Sequence, residues 1–157
     1  MGVICTPFLL LPSKFLKFPT KIWIKLIFIL LENICSIKHK IEGIENVPND
    51  TVIITSKHQS AFETLALYYY LKDCFFVHKK ELFLIPIFGQ YLYKSNMVSI
   101  DRDGGTKTMR KMLEEVRLKL ESGSSIIIFP EGTRKIPGTK PDYKTGFIGI
   151  YKHTKKK

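Results

Sequence analysis

Beyond Ile41 the chain alternates short aliphatic runs with stretches of helical period. Thr51-Val52-Ile53-Ile54-Thr55 is β-branched throughout and predicts a buried strand. Cys74-Phe75-Phe76-Val77, Met97-Val98-Ser99-Ile100 and Ser125-Ile126-Ile127-Ile128-Phe129 predict three more. Between the strands, Ser60 to Leu71 reads as a helix that is apolar nearly all round and therefore buried. Glu81–Tyr93 reads as a short helix broken at Pro86 and Gly89. The clearest helix is Thr106–Glu121. Met109, Met112, Leu113, Val116 and Leu120 form its apolar face, lysines and arginines fill the other, and Gly123 is placed to end it. Strands alternating with helices predict an α/β fold, with a mixed, largely parallel sheet flanked by helices.

The first 40 residues have a different pattern. Phe8 to Leu11, Ile22-Trp23-Ile24 and Leu26 to Leu31 are apolar, while Lys14, Lys17, Lys21 and Lys25 recur at intervals that share one helical face. A basic stripe on a strongly hydrophobic helix predicts a segment lying in a membrane interface. An ordinary helix packed on the domain's own core is the competing reading. A span needs about 20 mostly apolar residues, more than the uncharged run Leu26–Leu31 offers, and Pro12 and Pro19 break the earlier part. No small-residue cleavage site follows Leu31, which argues against a signal peptide. Met1 to Thr6 also matches a myristoylation pattern, a weak signal at that length. The expected organisation is a membrane-associating helical segment over 1–40 and an α/β domain over 41–157.

At 157 residues and 45% hydrophobic, the chain has room for one domain with a real core, which excludes a disordered or low-complexity class. Its three cysteines form no C-x-x-C pair, so neither a disulfide framework nor a zinc ribbon is expected. The net charge of +11 attracts polyanions, nucleic acid or an anionic membrane face. The cations are scattered and no nucleic-acid-binding signature is visible, so no nucleic-acid partner is expected.

Two segments directly after predicted strands carry candidate chemistry, where ligands collect in α/β sheets. In Ser56-Lys57-His58-Gln59-Ser60-Ala61-Phe62-Glu63, Ser60 and Glu63 have the spacing of a capping box. The same Glu63 lies one turn into the helix, where it can hold the imidazole of His58 as the acid of a catalytic triad does. Spacing alone does not choose between these. No G-x-S-x-G and no nearby cysteine supplies a nucleophile, so such a pair suits deprotonation of a substrate hydroxyl. In Phe129-Pro130-Glu131-Gly132-Thr133-Arg134, a tight turn presents an arginine whose fork suits phosphate. Arg134 and Arg102 are two of only four arginines, and a surface salt bridge with Glu131 or Asp101 is the plainer alternative.

These residues resemble a family. His58–Glu63 is similar to the H-x4-D block of the glycerolipid acyltransferases, and Phe129–Arg134 matches their F-P-E-G-T-R block letter for letter. Ser99-Ile100-Asp101-Arg102 resembles an intermediate block that contributes an arginine. The bacterial 1-acyl-sn-glycerol-3-phosphate acyltransferases are the nearest group. The resemblance implies that His58 deprotonates the 2-hydroxyl of lysophosphatidic acid, which attacks the thioester of acyl-CoA or acyl-carrier protein to give phosphatidic acid. It implies that Glu63 orients His58 and that Arg102, Glu131, Gly132, Thr133 and Arg134 hold the phosphate. No metal or cofactor is implied, and the expected place is the cytoplasmic face of the inner membrane. Position 63 departs from the pattern, carrying glutamate for aspartate. The family also continues past the point where this chain stops. That predicts a missing C-terminal part, a strand Ser125–Phe129 unpaired on one side, and as an alternative function an inactive phospholipid-binding remnant at the membrane surface.

Overall fold

The computed structural model describes residues 6–10, 12–101 and 104–154. The four strands expected from the aliphatic runs form at β1 (Ile53–Thr55), β2 (Cys74–Lys79), β3 (Val98–Ile100) and β4 (Ser125–Ile128). All pair parallel, in the order β1-β4-β2-β3. Among the described residues five α-helices accompany them: α1 (Lys17–Cys35), α2 (Phe62–Tyr70), α3 (Phe88–Lys94), α4 (Gly105–Glu121) and α5 (Gly146–Thr154).

This order corrects one expectation. β4 does not lie open on one side. It sits between β1 and β2, with Ile126 opposite both Ile53 and Phe75, and the outer strands of the sheet are β1 and β3. A strand buried on both faces and paired on both edges explains why Ile126 and Ile127 have no exposed surface.

The sheet divides the core in two. On one face Phe75, Val98 and Ile126 pack beneath Met112, Val116 and Leu120 of α4 and Ile150 of α5. The expected apolar stripe of α4 is the stripe observed. Lys119 is the exception to its polar face: it is buried, its Nζ donates to the Asn96 carbonyl at 2.7 Å, and burial pushes its ammonium pKa down. On the other face Cys74, Phe76 and Ile127 meet Tyr68 of α2 and Ile24 and Phe28 of α1.

Helix α1 therefore packs on the domain core along one face. Pro19 lies in its first turn, where a missing N–H is tolerated, so it starts the helix and does not break it. Two lysines of the predicted basic stripe face the domain: Lys17 pairs with Asp73, and Lys21 Nζ donates to the Leu71 carbonyl at 3.1 Å. Phe18, Ile22, Leu26, Leu30 and Ile34 are exposed. Among the described residues no helix is long and apolar enough to cross a membrane. The myristoylation pattern at Met1–Thr6 lies largely outside the described residues.

The Glu81–Tyr93 segment breaks at Pro86 as expected but not at Gly89, which is buried inside α3. A Cβ at Gly89 would sit 2.1 Å from the Phe83 carbonyl oxygen, so the missing side chain permits that close packing. The break itself is unusual. Ile87 has φ 66° and ψ −54°, and the Phe88 N–H donates to the Pro86 carbonyl at 2.7 Å. This is the rarer, strained form of γ-turn, with a β-branched residue at its centre. Such a conformation costs about 1–3 kcal/mol and persists only where its surroundings enforce it.

Candidate active site

Because β1 and β4 are parallel neighbours, their C-terminal ends deliver the two motif loops to the same edge of the sheet. Hydrogen bonds tie the histidine loop to the end of β4 and the loop after it. The Ser56 N–H donates to the Ile128 carbonyl at 3.0 Å, the Lys135 N–H to the His58 carbonyl at 2.8 Å, and the His58 N–H to Glu131 Oε2 at 2.9 Å. Glu131 is only 3% exposed, so its carboxyl group is built into the loop junction and turned away from solvent. Thr133 and Arg134 are exposed at the same edge. Gly132 adopts φ 66°, and its N–H closes the turn onto the Phe129 carbonyl at 2.9 Å. Arg102 lies outside the described residues.

Glu63 does both things its spacing allowed. Its Oε1 lies 2.7 Å from His58 Nδ1 and also accepts the N–H groups of Gln59 and Ser60 at 2.9 and 3.0 Å. Its Oε2 accepts the Ser60 hydroxyl at 2.6 Å, while Ser60 Oγ accepts the Phe62 N–H at 2.9 Å. The return bond from the Ser60 N–H and the histidine contact coexist because one carboxylate offers about four lone-pair sites. A carboxylate only accepts, so the shared proton resides on His58 Nδ1 and Nε2 is left as the basic nitrogen. Partial burial pushes the Glu63 pKa up, but hydrogen bonds from Ser60 and His58 outweigh it and hold it at about 2.

That depressed pKa has a testable consequence. A carboxyl with a folded pKa of about 2, against an ordinary 4.5, contributes stability that is complete above pH 4.5 and lost as pH falls toward 2. The contribution is on the order of 2 kcal/mol, discounted for solvent screening at a partly exposed site. Urea denaturation of wild type and Glu63→Gln across that window should show a steeper acid loss in the wild type. Parallel profiles would remove the carboxylate from the account.

The imidazole is also held by stacking. Its ring lies 4.2 Å from the Phe129 ring at 20°, and Phe129 stacks on Phe76 at 5.9 Å and 9°. The other three histidines are placed differently. His39 Nε2 bonds the Tyr70 hydroxyl at 2.8 Å, and His153 lies beside Glu114 on the α4–α5 surface. Burial pushes the His78 pKa down, and its Nε2 has no partner among the described residues. The buried Cys74 thiol is pushed up to about 12 by burial and is no nucleophile. Among the described residues no His, Cys, Asp and Glu cluster is arranged to hold a metal ion.

Two features were not read from the sequence. Lys79 ends β2 and Lys80 follows it at the same end of the sheet, with Lys80 paired to Asp101. An apolar cavity of about 500 Å³ lies between α1, α2 and α3, lined by Trp23, Leu65, Tyr68, Phe76, Ile87 and Met97 among others. Phe76 is thus shared between the cavity wall and the ring stack that ends at His58.

The chain is 30% identical over 130 residues to the 1-acyl-sn-glycerol-3-phosphate acyltransferase of Pseudomonas aeruginosa, covering 83% of this chain and 51% of that protein. It is 31% identical over 154 residues to a chloroplastic 1-acyl-sn-glycerol-3-phosphate acyltransferase of Arabidopsis thaliana, covering 94% of this chain and 42% of that one. The crystal structure of the 1-acyl-sn-glycerophosphate acyltransferase PlsC from Thermotoga maritima superposes with a TM-score of 0.70 at 26% identity, covering 90% of this chain and 55% of PlsC. The chain thus spans about half the length of these relatives, or less. A family model described as Acyltransferase matches residues 38–155, which include both motif loops and all four strands. With most of its length inside that match, the chain belongs to the acyltransferase family.

Proposed function

We propose that this protein transfers an acyl group from acyl-CoA or acyl-carrier protein to the 2-hydroxyl of 1-acyl-sn-glycerol-3-phosphate, giving phosphatidic acid. The observation that carries the proposal is the 2.7 Å contact between His58 Nδ1 and Glu63 at the mouth of the sheet. With Nδ1 protonated, Nε2 takes the proton of the acceptor hydroxyl as its oxygen attacks the thioester carbonyl. The tetrahedral intermediate collapses by breaking the carbon–sulfur bond, and the imidazolium returns its proton to the departing thiolate. No acyl-enzyme forms. Glu63 fixes the tautomer and stabilises the imidazolium, and the faces of Phe129 and Phe76 keep the ring plane in register.

Arg134, with Arg102 and the turn at Gly132 and Thr133, is assigned to the acceptor phosphate, where a planar fork grips two oxygens. Glu131 is assigned a positioning part, since a carboxylate has no proton to donate to phosphate and this one accepts the His58 amide. The apolar cavity is assigned to a hydrocarbon chain, its volume of about 500 Å³ falling in the range of small-molecule pockets. The exposed apolar residues of α1 support contact with a membrane surface, where such an acceptor resides.

The test is direct. With a labelled acyl thioester of CoA or carrier protein, label should pass to lysophosphatidic acid and appear in phosphatidic acid. Label that stays with both donors in the presence of acceptor and vesicles would overturn the proposal.

A further inference from the structure

His78 closes a joint in the fold that the proposed chemistry does not use. It stands second to last in β2, opposite Ser99 of β3, and the short 3-10 helix Lys80–Leu84 begins two residues later. Its half-buried ring bridges the two elements. Nδ1 lies 2.8 Å from the Lys79 carbonyl oxygen, and the ring meets Phe83 at 4.7 Å and 86°. Gly89 of α3 packs on the Phe83 backbone as well, so the ring and α3 together hold the short helix. At its first residue that helix carries Lys80, paired with Asp101 just past β3.

A carbonyl only accepts, so Nδ1 carries the proton of the neutral ring and Nε2 is bare. Nε2 is buried and has no partner among the described residues. A bare nitrogen tolerates that place. A protonated one does not, because it would be a charged donor with nothing to accept it. The charged groups on the surrounding elements are Lys79, Lys80 and Glu81 along the chain, Asp101 after β3, and Glu115 on α4. Burial holds the His78 pKa below the ordinary 6.5, outweighing the Lys79 carbonyl and the Glu115 charge, which raise it.

We propose that His78 is a positioning residue with a proton-sensitive hold: its neutral ring fixes the helix Lys80–Leu84 to β2 and so sets Lys79 and Lys80 at the end of the sheet assigned to the acceptor phosphate, and protonation at Nε2 loosens them. Two ammonium groups held there draw an anion to that end. The inference rests on the reading of that end as the acceptor's phosphate site.

The test uses the whole chain, with a short-chain lysophosphatidic acid as the calorimetric probe and urea denaturation beside it. His78→Asn keeps a donor for the Lys79 carbonyl, His78→Phe keeps a ring against Phe83, and neither titrates. Because the folded pKa is lowered, stability present above about pH 6.5 is lost as pH falls below it. The wild type should therefore lose stability more steeply than either variant in that window. From about pH 7.5 to 5.5 its binding of the probe should weaken about tenfold more than theirs, the change of a proton-linked equilibrium per unit of pH. Titration of the probe's phosphate and of His58 is common to all three proteins and cancels in the comparison. Parallel stability profiles would overturn the inference, as would diverging stability with parallel binding. Absence of binding to the wild type at every pH would overturn it together with the phosphate assignment. Normal binding without acyl transfer would sink the proposed reaction and leave the role of His78 to be decided by the pH profiles alone.

Discussion

Replacement of His58 by alanine is expected to reduce acyl transfer about a thousandfold, within the range that a positioned general base supplies. The expectation follows from the division of labour on the ring. Nδ1 is committed to Glu63 at 2.7 Å, so Nε2 is the nitrogen left to accept the hydroxyl proton. Alanine removes that acceptor and the stacking contact with Phe129 while leaving the backbone bonds to Glu131 and Lys135 in place. Thermal unfolding should therefore change little while turnover with a thioester donor and lysophosphatidic acid collapses. Turnover near the wild-type rate would show that the proton leaves by another route.

The next largest effect is expected at Glu131. Glu131→Ala deletes the acceptor of the His58 N–H in a buried setting, at about 1–3 kcal/mol for the orphaned donor. It also frees the loop that carries the base, and displacement of a catalytic group by about 1 Å is enough to lose a hundredfold in rate. Glu131→Gln keeps an oxygen at the same place and should recover most of both losses. Melting curves and kcat measured separately from KM distinguish this from a phosphate contact. A positioning part lowers kcat in the alanine variant and is rescued by glutamine, whereas a phosphate contact raises KM for the acceptor in both. The second pattern would return Glu131 to the substrate.

The four strands, the α4 stripe and both motif loops were legible because each is written in a local pattern of period, branching or spacing. What local pattern does not carry is who lies beside whom. Nothing in Ser125–Phe129 says that it inserts between β1 and β2, two strands that follow each other much earlier in the chain, and the expected open edge on it was wrong for that reason. Lys17 and Lys21 match a solvated stripe by spacing, yet their partners Asp73 and Leu71 lie some 50 residues away. The apolar cavity is likewise assembled from three helices and from Phe76, Ile87 and Met97 between them, residues that each read as ordinary core. Ile87 gives no sequence signal at all, since β-branched residues argue against positive φ. Glu63 shows the opposite limit: the spacing fitted two roles, and one carboxylate fills both.

The placement of β4 also governs when the site can exist. β1 and β2 are consecutive in the chain but not adjacent in the sheet, so the slot between them stays empty until residues 125–128 arrive. Closing it requires pairing Ile53 with Ile126, a long-range step of the kind that slows folding. During synthesis, then, a ribosome-bound chain carries its histidine loop well before it carries anything to anchor that loop. The histidine loop gains its anchor late, with the strand that completes the sheet.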